Sequence, residues 1–109
     1  MANAYKVLGT SNPAATTATT LYTVPSATST IVSTINVCNQ GAASASFRIA
    51  IRPAGATLAT NHYIVYDTAI PGNDSIALTM GITLATTDVI TVYASTATMS
   101  FMAFGTEIT

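Results

Sequence analysis

The chain has 109 residues, of which 50% are hydrophobic and only 6% charged, with a net charge of −1. A single domain of this length buries roughly two thirds of its unfolded surface and supports one modest core. With only three basic residues it has no phosphate-tracking patch, which argues against nucleic acid as a partner, and no apolar run approaches the roughly 20 residues of a membrane span.

The first charge-free stretch is the longest. Lys6 is followed by no Asp, Glu, Lys or Arg until Arg48, whereas folded domains usually carry a charge about every four residues. Within it, "TTLYTV" and "STIVSTINVC" are rich in the β-branched residues that suit a pleated surface. "FRIAIRP" follows with clear alternation: Phe47, Ile49 and Ile51 point one way, Arg48, Ala50 and Arg52 the other. "HYIVYDT" sets Tyr63 and Val65 against His62, Ile64 and Tyr66. "SIALTMGITLA" keeps Ile76, Leu78, Met80, Ile82 and Leu84 in phase through Gly81, as one strand bent at the glycine or as two strands. "DVITVYAS" alternates Ile90, Val92 and Ala94 with Val89, Thr91 and Tyr93. "TMSFMAFGTEI" alternates Met99, Phe101 and Ala103 with Ser100, Met102 and Phe104.

Pro13, Pro25, Pro53 and Pro71 all fall between these runs, where turns belong. Regularly spaced short strands with no helical period predict an all-β fold: an antiparallel two-sheet β-sandwich of about eight strands, immunoglobulin-like or jelly-roll-like. Residues 1–109 read as one domain, with 1–18 a candidate N-terminal arm.

The residues that could carry chemistry are few. Cys38 is the only cysteine, so no internal disulfide forms, and the opening "MANAYKVLG" lacks the pattern of a secretory signal. Both features predict folding in a reducing cytosol. His62 is the only histidine and reads as a strand residue at a sheet edge or interface; with a single thiol there is no zinc cluster. Asp67, Asp74, Asp88 and Glu107 are scattered, and Asp74 and Asp88 suit turns or strand starts. Calcium at a shared loop end is the alternative. No phosphate loop, nucleophile elbow or dinucleotide fingerprint is present. The expectation is a non-enzymatic protein with no catalytic residue, metal site or cofactor.

Arg48 and Arg52, on one face of a strand, and Tyr63 and Tyr66 on the next are the candidate interface residues. A guanidinium fork pairs with carboxylates, and tyrosines serve protein interfaces or sugar stacking. A surface of Thr, Ala and Ser loses little rotamer entropy on association, where each ordered Lys or Glu loses roughly 1.5–2 kcal/mol. Composition therefore favours assembly.

The stretches "AYKVLG", "TTLYTVPSAT", "FRIAIRPAGA", "HYIVYDTAIPGNDS", "GITLATTDVITVYAS" and "FGTEI" cover most of the chain in order. In these the chain resembles a family of small virion structural proteins of tailed bacteriophages, cyanophages among them. The resemblance implies a β-sandwich that decorates or cements a capsid, or sits in a tail, neck or fibre. It implies as partners the chain itself, as dimer or trimer, and the major capsid protein. It also implies location on the virion after synthesis in host cytoplasm. A carbohydrate-binding or host-surface module using the tyrosines is the alternative from a different class.

Overall fold

In the computed structural model residues 2–109 are described. They form two antiparallel sheets packed as a sandwich, from strands β1 (Asn3–Ser11), β2 (Thr19–Thr23), β3 (Ser29–Asn39), β4 (Ala45–Arg52), β5 (Tyr63–Ile70), β6 (Asp74–Leu78), β7 (Ile82–Leu84), β8 (Val89–Ala94) and β9 (Met99–Ile108). Two short 3-10 turns, Pro53–Gly55 and Thr60–His62, lie between β4 and β5. One sheet has the order β1-β9-β3-β6, with β7 also on β3; the other has the order β2-β8-β4-β5.

The pairing follows a single rule. Asn3 faces Ile108, Thr23 faces Val89, Asn39 faces Asp74 and Ala50 faces Tyr63. These pairs are nested around one tip, the β4–β5 connection. The chain is thus one long antiparallel ribbon, doubled back at that tip and wound so that β9 also meets β3 and β8 also meets β4. β4 and β5 are the only consecutive strands that pair among the described residues. This is jelly-roll connectivity, which decides between the two sandwich types expected from sequence.

Nine strands appear where about eight were expected: "SIALTMGITLA" is two strands, not one bent strand, and β1, within the span read as a candidate N-terminal arm, pairs with β9. Leu78 pairs with Ile35 and Ile82 with Val32, so four residues on this edge span three on β3. Gly81, at φ +65°, takes up the excess in a left-handed conformation suited to glycine. Ile76, Leu78, Ile82 and Leu84 keep their inward phase, whereas Met80 sits at the break and is turned to solvent.

The core lies between the sheets. Phe47 of β4 and Phe101 of β9 meet edge to face with centroids 6.0 Å apart. Around them Ile35, Ile49, Ile70, Leu84, Ile90 and Met99 are fully buried. Truncating a buried phenylalanine to alanine in such a core costs about 3–5 kcal/mol.

The five-stranded sheet bends at one level along β9. Leu8 is the extra residue of β1 there and Ser33 that of β3, both beside Phe104. The Ser33 hydroxyl donates to the Phe104 carbonyl, 3.1 Å away. Gly105 follows, and a Cβ there would collide with the carbonyl oxygen of Ile31. The close backbone contact at the bend therefore requires glycine.

Candidate functional site

The outward face of the four-stranded sheet gathers three of the four candidate interface residues. On β4, Arg48 lies opposite two residues of β5, because Phe47 pairs with Thr68 and Ile49 with Val65. The extra residue makes a bulge, with Asp67 at φ 53°. Aspartate is among the few non-glycine residues that tolerate this conformation. The bulge aims both Tyr66 and Asp67 at one guanidinium. Arg48 Nε donates to Asp67 Oδ1 at 2.6 Å and Nη2 to Oδ2 at 3.2 Å. The guanidinium is also stacked between the rings of Tyr66 and Tyr93, 4.2 and 4.3 Å from their centroids. Hydrogen bonding from Arg48 holds the Asp67 carboxyl below its ordinary range, and the same bond raises the pKa of Arg48.

Tyr63 joins this group through Tyr66. Their rings meet edge to face, 5.0 Å between centroids. With Leu58, Ala59 and Thr60 from the ribbon tip they line a hollow of about 570 Å³.

Arg52 shares a strand face with Arg48 but belongs to a different neighbourhood. Its Nε donates to Thr91 Oγ1 and its Nη1 to the Ala56 carbonyl, so it covers the outward face of β8 and ties down the tip. The ionic partner of Arg48 is supplied by the same chain. His62 lies in a 3-10 turn rather than on a strand, and its Nδ1 accepts the Ala59 N–H at 3.1 Å. Asp74 accepts the N–H of Ser75 at the start of β6, while Asp88 accepts those of Ala54 and Ala85 at the turn before β8. Among the described residues no three of His, Cys, Asp and Glu gather at a metal-holding distance.

One polar cluster was not anticipated. Glu107 continues the inward phase of Met99, Phe101 and Ala103 along β9, so its carboxylate enters the gap between the sheets. There the Tyr22 hydroxyl donates to Oε2 and Lys6 Nζ to Oε1 at 3.1 Å. Since the phenol has one proton, the hydroxyl of fully buried Thr30 donates to the Tyr22 oxygen, 2.8 Å away. Burial first, and then the bond to Glu107, push the Tyr22 pKa up to about 12. The bond from Tyr22 in turn holds Glu107 below the usual carboxylate range. Alternation carried two residues past Phe104 and Gly105 was the signal for Glu107. Its partner was not readable, because Tyr22 is far away along the chain and turns inward only through a bulge at Leu21.

The opposite outer face is of another kind. On the five-stranded sheet the outward rows run Tyr5–Thr106–Ile31–Thr83, Val7–Phe104–Thr34 and Thr10–Met102–Asn36–Ala77. None of these is charged. The charged residues of β1 and β9, Lys6 and Glu107, belong to the inward set. Tyr5 is 80% exposed and Ile31 45%, with Val7 and Met102 also open to solvent.

Family models, curated proteins and solved structures gave no match to this chain. Two features therefore frame the functional reading: a charge-free outer sheet face, and a tyrosine–arginine cluster with a hollow on the face behind it.

Proposed function

We propose that the chain is a non-enzymatic structural protein of a tailed-phage virion, which decorates or cements the capsid by docking the outer face of its five-stranded sheet on the assembled shell. The observation that carries this reading is the partition of charge: outward side chains of one whole sheet are neutral, while Arg48, Arg52 and Asp67 lie on the other sheet. A face without lysine or glutamate gives up few solvated charges and little rotamer entropy when covered. Four strands abreast at ~4.8 Å and ten residues at ~3.3 Å give a footprint of roughly 600 Å², near the ~800 Å² per partner of a stable interface. The resemblance of the strand and turn segments to small tailed-phage virion proteins supports the same reading.

The mechanism is mass action. A protein that binds only the assembled shell stabilises it, by about 2.7 kcal/mol per site at a free concentration one hundred times Kd. Quantitative mass spectrometry of purified virions tests the proposal. About one copy per capsid subunit is the expected result. A ratio of roughly a few hundredths would move the protein to tail, neck or fibre. Absence from clean particles would overturn the virion reading.

A further inference from the structure

We propose that the hollow beside Tyr63 and Tyr66 binds a neutral saccharide ring. This goes beyond shell docking, because the hollow belongs to the opposite sheet and would face away from a surface covered by the charge-free face. Its volume of about 570 Å³ suits one or two sugar rings and falls in the ordinary range of ligand pockets, roughly 300–1,000 Å³. The walls combine two chemistries. Leu58, Ala59 and the near-perpendicular rings of Tyr63 and Tyr66 offer apolar surface, with Tyr66 57% exposed. Thr60, Tyr63 and Tyr66, which line the hollow, each carry a hydroxyl that can donate and accept.

Ligand class follows from that mixture. A purely apolar ligand would make no use of hydroxyls on these walls and would leave any that it covered unpaired. An anion finds no free cation, since Arg48 is already engaged by both carboxylate oxygens of Asp67. A neutral sugar presents C–H faces to aromatic rings and hydroxyls to hydroxyls, and so matches both chemistries.

The test is an NMR titration of the ¹⁵N-labelled full chain with methyl glycosides of glucose, galactose, mannose and N-acetylglucosamine, and with their disaccharides. Concentrations to about 20 mM cover the millimolar Kd expected of a shallow site. Amide shifts centred on residues 58–67, with saturation transfer to sugar ring protons, are the expected result. Tyr66→Ala should weaken binding by roughly two- to tenfold, the value of one stacked ring. Tyr5→Ala, on the other face, should leave it unchanged. Should Tyr66→Ala fail to fold, Thr60→Arg fills the hollow from an exposed turn and should abolish the shifts. No response to any of these sugars, shifts elsewhere, or unchanged affinity in Thr60→Arg would overturn the proposal. Shell docking is read separately, on particles, with Ile31→Glu.

Discussion

Tyr22 shows how one hydroxyl couples the two sheets. It is almost fully buried and reaches Thr30 and Glu107 on the facing sheet. Its pKa is raised from 10.0 to about 12. Burial first, and then the bond to Glu107, favour the protonated phenol in the folded chain, so this stability is fully present below pH 10 and is lost as pH rises towards 12. Absorbance titration of the phenolate should show a step near pH 12 that Tyr22→Phe removes. Glu107 acts with the opposite sign: its lowered pKa gives stability above the unfolded carboxylate range, lost as pH falls through the depressed folded value. Glu107→Gln should flatten the acid limb of a stability–pH curve.

Asn39 plays a comparable part at the other end of β3. Its side chain is fully buried; Nδ2 donates to the carbonyls of Ala43, Ile70 and Pro71, and Oδ1 accepts from Gly41 and Thr98. One amide thus joins three loops. Asn39→Ala leaves these groups short of partners and should cost about 1–3 kcal/mol or more in urea unfolding. A loss below roughly 0.5 kcal/mol would show that water replaces the amide without penalty.

At the scale of elements, bulges do much of the positioning. Without the extra residue opposite Arg48, Tyr66 and Asp67 could not both reach its guanidinium. Without Leu21 as an extra residue, Tyr22 would not follow it into the core. The bend beside Phe104 and the break at Gly81 present two different demands for glycine. Gly81→Ala meets no atom within 4 Å and has only the left-handed backbone to accommodate, about 1–2 kcal/mol. Gly105→Ala forces a Cβ against backbone, so its penalty should exceed that of Gly81→Ala by about 1 kcal/mol or more. Thermal unfolding of the two variants side by side decides whether close approach or backbone conformation matters more in this sheet.

For the whole molecule, the doubled ribbon brings the two ends together: Ala2 and Thr109 exchange backbone hydrogen bonds at 2.9 Å. It also separates two faces of unlike chemistry, one charge-free and one bearing the tyrosine–arginine cluster. If the neutral face docks, Ile31→Glu should weaken binding to purified particles at least about tenfold, since a buried unpaired charge is costly. Because Ile31 is 45% exposed, the isolated domain should change in stability by no more than about 0.5 kcal/mol. Unaltered particle binding would remove this face from the interface.

Most strand positions and the inward sets of β4, β8 and β9 were legible in the sequence because side-chain alternation is local: a period of two needs only neighbouring residues. Turns were legible for the same reason, since Pro, Gly and Asp act on their own backbone. Charge scarcity was legible from composition, but not its confinement to one side of the sandwich. That required knowing which strands share a sheet, and strand order depends on contacts between distant segments. Arg48 and Tyr66 stood out as candidates, whereas the carboxylate that holds Arg48 was set by a one-residue bulge. Alternation predicts direction only until an extra residue reverses it. The tertiary structure alone therefore decided that Glu107 meets Tyr22, that Arg52 parts from Arg48, and that a hollow forms between β5 and the ribbon tip.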